Sequence, residues 1–115
     1  GEASILMNIQ EMATLVQYRL PVKIFIMNNK WMGMVRQWQE LLHGGRYSES
    51  YSDALPDFVK LAEAYGIEYM SICRNEETDA VVDAVLKAEH PVLVECAVPH
   101  DEPTLCFGGE GRERR

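Results

Sequence analysis

The sequence predicts an α/β protein built on a partial, doubly wound parallel sheet with flanking helices. Three short runs rich in β-branched and apolar residues are typical of strands, at residues 22–27, 67–73 and 92–98. Between and around them lie segments whose apolar residues recur at helical spacing. Strands and helices that alternate in this way join through right-handed crossovers into a parallel sheet.

The first part of the chain predicts one long helix followed by a strand. Ser4 can cap the helix and Pro21 ends it. One face of this helix would carry the apolar residues Ile5, Ile9, Met12 and Val16. The run at 22–27 is nearly continuous in apolar residues, which predicts a strand covered on both faces. Asn28 and Asn29 close this strand.

The remaining elements follow from similar signals. A helix is predicted from Met34 to Leu42, before two glycines, and a polar loop rich in Tyr and Ser occupies residues 46–55. Pro56 suits the first turn of the next helix and Gly66 suits its C-terminal stop. Asn75, followed by two glutamates, starts the last helix, before the third strand.

Length and composition indicate one globular domain. The chain has 115 residues, of which 47% are hydrophobic and 25% charged. We assign residues 1–99 to a partial domain, because the strand and helix pattern fails beyond Pro99. Residues 100–115 are charged and Gly-rich, and are predicted to form a disordered tail.

The charge and hydropathy patterns exclude two classes of partner. A formal net charge of −7 with no basic stripe argues against nucleic-acid binding. The sequence has no apolar run near the roughly 20 residues that a membrane span needs. It also has no signal-peptide pattern, so we expect a cytoplasmic protein. The chain begins with Gly1 rather than Met, which suggests a fragment or a processed product.

Two small polar turns are candidates for a binding site. They comprise residues 1–4 and 28–34, each at a position where a ligand would meet the carboxyl edge of an open parallel sheet. Backbone amides at these turns could hold an anion, and Gly33 would let the backbone approach it closely. Glu2 and Asn29 carry hard oxygen ligands suited to magnesium. Each turn alone is more often a simple cap or turn. Together they predict a cation that neutralises a bound diphosphate.

These turns resemble the thiamine diphosphate motif, which begins Gly-Asp-Gly or Gly-Asp-Ala and ends in Asn-Asn. The separation from Glu2 to Asn29 is 27 positions (29 − 2), which matches the motif. Further similarity at residues 7–11, 20–23, 33–41 and 46–48 resembles the large, catalytic subunit of acetohydroxyacid synthase, also called acetolactate synthase. The similarity is close as far as Gly66 and looser to Val98.

The resemblance implies a role for each of eight residues. It implies three magnesium ligands, which are the side-chain oxygens of Glu2 and Asn29 and the main-chain carbonyl of Trp31. It implies diphosphate contacts, made largely through the backbone, at Ala3, Ser4, Gly33 and Met34. It also implies that Trp38 lines the substrate channel. Ordinary packing on a helix face is the alternative for Met34 and Trp38.

One departure from the family bears on the metal. The family has Asp where this chain has Glu2. The extra methylene moves the carboxylate by about a bond length, whereas magnesium prefers near-octahedral ligands at about 2.0–2.1 Å. We therefore expect weakened magnesium binding.

The family condenses pyruvate with a second 2-oxo acid in branched-chain amino acid biosynthesis, with thiamine diphosphate as electron sink. Full-length members also carry an amino-terminal domain and a middle domain that holds FAD, neither of which these residues resemble. We therefore expect the isolated chain to be inactive. The alternative is a non-catalytic binding or assembly module from a truncated gene, which would associate with a full-length catalytic subunit or with itself through an exposed sheet edge. A different thiamine diphosphate decarboxylase is a further alternative, against which Trp38 and residues 46–48 argue.

Overall fold

The computed structural model describes residues 1–100 of the chain. Apart from His100, the predicted tail at 100–115 lies outside the described residues. The helices are α1 (Glu2–Ile5), α2 (Glu11–Gln17), α3 (Gly33–Leu42), α4 (Phe58–Tyr65) and α5 (Thr78–Lys87). The strands are β1 (Lys23–Asn28), β2 (Glu68–Ile72) and β3 (Val92–Ala97). None of the helices in this part of the chain combines the length and apolarity that a membrane crossing requires.

The three strands form one parallel sheet in the order β1-β3-β2. The last strand of the chain is thus the central one, and both earlier strands pair with it. Val92, Leu93 and Val94 are fully buried at its start, because neighbours cover them on both sides and on both faces. The predicted α/β class with a parallel sheet is confirmed.

Helices cover both faces of the sheet, which gives the doubly wound arrangement. On one face, Leu93 packs in a cluster with Met12 of α2, Ile26 of β1, Phe58 and Ala62 of α4, and Ile67, which precedes β2. On the opposite face, Val85 of α5 packs against Val92, Val94 and Cys96 of β3. Since successive side chains of a strand point to opposite faces, the alternation along β3 divides these two cores.

The prediction of one helix from Ser4 to Pro21 is wrong. The chain forms the single turn α1, then a bend through residues 6–10, then α2. In the bend the amides bond three residues back, as in Asn8 N–H to the Ile5 carbonyl (3.0 Å) and Met12 N–H to the Ile9 carbonyl (3.1 Å). Asn8 favours such a break, because its side chain competes with helical bonding. Gly1, not Ser4, precedes the first helical turn, and the buried face retains Met12 but exposes Val16.

The prediction that β1 is covered on both faces is also wrong for the described residues. Ile26 is buried, but its neighbours Phe25 and Met27 are 37% and 50% exposed. The reason is topological: β1 is an edge strand, and α5 packs over β2 and β3. The apolar run therefore predicted the strand correctly, but it did not show that one face of the strand is exposed.

The later elements agree with prediction apart from differences of one to three residues at their ends. Gly66 ends α4 in the left-handed conformation (φ 69°), as expected of a C-terminal glycine. Pro56 precedes the capping residue Asp57 rather than lying within the first turn. The segment at Asn75–Glu77 is a single 3₁₀ turn, after which α5 begins at Thr78.

Asp57 caps α4, and this cap supports a prediction about stability. Its Oδ1 accepts hydrogen bonds from the amides of Val59 (3.1 Å) and Lys60 (3.2 Å). The bond from the Lys60 amide, together with the nearby Lys60 charge, lowers the pKa of Asp57. A lowered pKa means that the charged cap stabilises the fold above the pKa of the unfolded chain, and that this stability is lost as pH falls through the folded value.

We expect Asp57→Ala to lower the midpoint of thermal unfolding at pH 7 by about 4–8 °C. Asp57→Asn is the matched control, because the amide oxygen still caps the helix but does not titrate. Calorimetric scans should show that the deficits of both variants relative to wild type shrink below pH 4, because only wild type titrates at this position, and that the asparagine variant has the smaller deficit at pH 7. Equal midpoints for wild type and Asp57→Ala at pH 7 would contradict the role of the cap.

Candidate metal and diphosphate site

Glu2 is buried beside the carboxyl end of β1. Its side chain is 1% exposed, and neither carboxylate oxygen has a hydrogen-bond partner among the described residues. A side-chain carbon added at the neighbouring Gly1 would lie 3.8 Å from the Met27 carbonyl oxygen, so α1 starts close to the end of β1. A buried carboxylate without a donor is costly, and a bound cation would remove that cost. Glu2 therefore has the surroundings of a metal ligand.

The turn after β1 is held by two consecutive asparagine side chains. Asn28 Oδ1 accepts from the Lys30 amide (3.1 Å), and Asn29 Oδ1 accepts from the Trp31 amide (3.0 Å). Lys30, between Asn29 and Trp31, adopts a left-handed conformation (φ 62°), which is unfavourable for a lysine. An amide oxygen has two lone pairs, so Asn29 keeps capacity for a cation while it holds the turn. The turn is thus oriented by its own side chains.

Helix α3 begins directly after this turn and presents its first amides without a cap. Its capping residue, Met32, makes no side-chain hydrogen bond to the first turn, which starts at Gly33 and Met34. A side-chain carbon at Gly33 would meet Asn29 Nδ2 at 3.5 Å, which is an ordinary contact. Gly33 therefore lies directly against the Asn29 side chain. Free amides at the start of a ten-residue helix suit an anion.

The polar loop at residues 46–55 packs onto the turn, which the sequence did not predict. The Met32 amide donates to the Ser50 carbonyl (2.8 Å) and the Ser52 amide donates to the Lys30 carbonyl (2.8 Å). Gln39 of α3 clamps the same loop, because its Nε2 donates to the Ser48 carbonyl (2.8 Å) and its Oε1 accepts from the Ser50 hydroxyl (2.7 Å). Ser50 is 1% exposed. The loop thereby fixes the backbone on both sides of Trp31.

The Trp31 ring lies in an aromatic and cationic cluster. Its centroid lies 5.0 Å from that of Tyr51 and 5.7 Å from that of Tyr47. The Arg36 guanidinium carbon lies 5.0 Å from the centroids of both Trp31 and Tyr47. Cation–π contacts of this kind add to the packing energy. The cluster anchors Trp31, the residue whose carbonyl is a predicted magnesium ligand.

Met34 and Trp38 lie on the rim of an open cleft. The cleft has a volume of ≈ 560 Å³ and is lined by Met34, Val35, Trp38, Gln39, His43 and Arg46. Met34 is 53% exposed and Trp38 49% exposed, so neither is packed into the core formed by residues 1–100. The interpretation as ordinary helix-face packing within this domain is therefore not supported. The channel role of Trp38 stays a prediction.

A polar network on the sheet connects to the same turn. Glu95, on the central strand, accepts from Asn28 Nδ2 (2.6 Å) and from the Tyr69 hydroxyl (2.7 Å). Burial, and then the bond to Glu95, raise the pKa of Tyr69 well above its usual range. Sequence reasoning missed Glu95, although a single acid within the apolar run at 92–98 was a visible signal.

Comparison with known proteins identifies the family of this chain. Residues 1–96 match the family model described as thiamine pyrophosphate enzyme, C-terminal TPP binding domain. The large subunit of acetolactate synthase from Pyropia yezoensis is 46% identical over 103 residues, which are 89% of this chain and 18% of that protein. The isozyme 3 large subunit from Escherichia coli K12 is 47% identical over 87 residues, covering 76% of this chain and 15% of its own length.

A solved structure gives the same fold. The thiamine diphosphate-dependent 4-hydroxybenzoylformate decarboxylase of Rhodococcus jostii RHA1 superposes with a TM-score of 0.80 at 30% identity, over 90% of this chain and 19% of the decarboxylase. The chain thus spans less than a fifth of the relatives described here. The resemblance to acetolactate synthase large subunits is confirmed. With residues 1–96 matched, the chain belongs to the family of C-terminal thiamine pyrophosphate-binding domains of thiamine pyrophosphate enzymes.

Proposed function

We propose that this chain binds thiamine diphosphate together with magnesium, between the turn at residues 1–4 and the turn at residues 28–34. The observation that carries the proposal is the buried carboxylate of Glu2, which lacks a partner among the described residues and lies near the end of β1. Asn28 and Asn29 leave that same strand end, and the family to which the chain belongs binds this cofactor. A divalent cation would both balance the buried Glu2 carboxylate and neutralise the diphosphate of the cofactor.

Particular residues would hold the two parts of the ligand. Side-chain oxygens of Glu2 and Asn29 and the carbonyl of Trp31 would hold magnesium, since carboxylate, amide and carbonyl oxygens are its usual protein ligands. Backbone groups of Ala3, Ser4, Gly33 and Met34 would contact the diphosphate. The uncapped start of α3 supports the second assignment. When bound, thiamine diphosphate supplies an electron sink for making and breaking carbon–carbon bonds next to a carbonyl.

We propose acetolactate synthase as the activity of the complete protein. The two acetolactate synthase large subunits described above are 46–47% identical to this chain over the matched residues, whereas the Rhodococcus jostii decarboxylase is 30% identical. Pyruvate and a second 2-oxo acid are the substrates on this proposal, in the cytoplasm, and the cleft beside Trp38 would guide them toward the cofactor. FAD would belong to parts of the protein that these residues do not include.

The second candidate is a non-catalytic assembly module. The exposed apolar side chains of the edge strand favour it: Phe25 is 37% exposed and Met27 is 50% exposed. An unpaired edge with apolar residues is a template for pairing with another chain, either a full-length catalytic subunit or a second copy. Self-association without cofactor binding would support this candidate over the first.

Calorimetric titration with thiamine diphosphate tests the proposal. We expect saturable binding in magnesium and none in a chelator. Glu2→Asp should tighten binding by up to about tenfold, because a shorter side chain restores the ligand geometry that magnesium prefers. Glu63→Asp, the same change at an exposed position on α4, is the matched control and should leave binding unchanged. A neutral Glu2→Asp substitution would remove Glu2 from the metal site, and magnesium-independent binding would overturn the proposal.

A further inference from the structure

We propose that Glu95 is the positioning residue of the magnesium site. It would act by fixing Asn28, and through Asn28 the orientation of the adjacent ligand Asn29. The inference rests on the proposed function, since it assigns a supporting residue to the same site.

Glu95 lies on the central strand, from which its side chain reaches both outer strands. In the strand register Glu95 is level with Ile26 of β1 and with Ser71 of β2. Its two oxygens bond diagonally, Oε1 to Asn28 Nδ2 at 2.6 Å and Oε2 to the Tyr69 hydroxyl at 2.7 Å. Both carboxylate oxygens are therefore used, and each bond is a charge-assisted one.

Asn28 transmits this constraint to the turn. Its side-chain nitrogen donates to Glu95, its side-chain oxygen accepts from the Lys30 amide (3.1 Å), and its carbonyl accepts from the Val98 amide (3.0 Å). These three bonds leave Asn28 little freedom. Asn29 is the next residue, and the left-handed Lys30 follows it. The conformation that aims the Asn29 oxygen thus depends on an anchor supplied by β3.

The surroundings of the Glu95 carboxylate indicate a role beyond packing in the core. Two cavities, of ≈ 290 and ≈ 270 Å³, lie against it, and Asn28, Lys30 and Glu95 line both. The remainder of β3 is almost wholly apolar and buried. An acid at this point costs desolvation that an apolar residue would avoid. Buried acids of this kind commonly serve as hydrogen-bond partners that orient metal ligands. Loss of such a partner weakens metal binding about 10–100-fold.

The test is the magnesium dependence of thiamine diphosphate binding in three variants of the full chain. Glu95→Leu keeps a similar size but can accept from neither neighbour. Asn28→Asp keeps the bond to the Lys30 amide but places a second carboxylate against that of Glu95, so the two repel each other. The double variant Asn28→Asp/Glu95→Gln exchanges amide and carboxylate, so the bond re-forms in the opposite direction. Tyr69→Phe is the control, because it removes the outer bond and leaves Asn28 anchored.

We expect Glu95→Leu and Asn28→Asp each to raise the half-saturating magnesium concentration about tenfold. The double variant should recover most of that loss, and Tyr69→Phe should stay close to wild type. Titrations are run well below the unfolding midpoint of every variant, so that global stability does not enter. If Glu95→Leu does not fold, the comparison of Asn28→Asp with the double variant still decides the matter.

Two results would overturn the inference. The first is an unchanged magnesium requirement in folded Glu95→Leu or Asn28→Asp. The second is a loss in Tyr69→Phe as large as that in Glu95→Leu, or no recovery in the double variant, because either indicates a general effect on the sheet. Wild-type chain that shows no magnesium-dependent binding in the same titration removes the proposed function itself, and with it this inference.

Discussion

Replacing Glu2 with methionine is expected to abolish magnesium-dependent binding of thiamine diphosphate while stabilising the metal-free chain. Binding should weaken by more than the about 10–100-fold typical of outer-shell changes, because a ligand itself is removed. Stability should rise by about 1–3 kcal/mol, because methionine has a similar length and removes a buried carboxylate that has no hydrogen-bond partner within residues 1–100. Opposite effects on binding and on stability distinguish a ligand from a structural residue.

Thermal unfolding in a chelator and calorimetric titration in magnesium measure the two effects. Glu63→Met supplies the control, since Glu63 is exposed on α4 and the same side chains are exchanged there. We expect the control to match wild type in both measurements. A Glu2→Met variant that is less stable than wild type in the chelator would show that Glu2 has a structural role, and would contradict the account of the site.

Leu93→Ala is expected to cause the largest loss of stability among the substitutions considered. Leu93 is fully buried on the central strand and packs against Met12, Ile26 and Phe58. Truncation leaves a cavity that the sheet and helices cannot fill, at a cost of about 2–5 kcal/mol. A domain of this size has about 5–15 kcal/mol in total, so a large part of its stability would be lost.

Leu86→Ala is the matched control for this core position. Leu86 is 66% exposed on α5, so its truncation should change stability by no more than about 0.5 kcal/mol. Urea unfolding of both variants, followed by circular dichroism, gives the comparison. Similar midpoints for the two variants would mean that Leu93 does not lie in the core described above.

The strands and the candidate site were predictable because their signals are local. β-branched runs marked three strands, and their alternation with helices predicted a parallel sheet. Glu2 and Asn29 were identified by residue type and spacing, and both flank the same strand end in the structure. The end of α4 at Gly66 was also predictable, since only a glycine adopts the left-handed conformation found there without strain.

Features that depend on contacts between distant residues were not predictable. The apolar spacing continued through residues 6–10 and concealed the local signal of Asn8, so one helix was predicted where the chain forms two. Likewise, an apolar β1 could not show that it lies at an edge, because strand order follows from tertiary packing. The clamp between Gln39 and Ser50 joins a helix to a loop that carries no regular pattern. Glu95 was detectable as an anomaly, but its partners Asn28 and Tyr69 were not.

A titration of isotopically labelled chain with thiamine diphosphate, at fixed magnesium, tests the central claim that the two turns form one site. We expect the backbone amide resonances of Ala3, Ser4, Gly33 and Met34 to shift along the same saturation curve. We expect no shift of these resonances in a chelator. Amides of α5 and β2, on the far side of the sheet order from β1, should stay unchanged. Shifts at one turn alone, or shifts that persist without magnesium, would contradict the account.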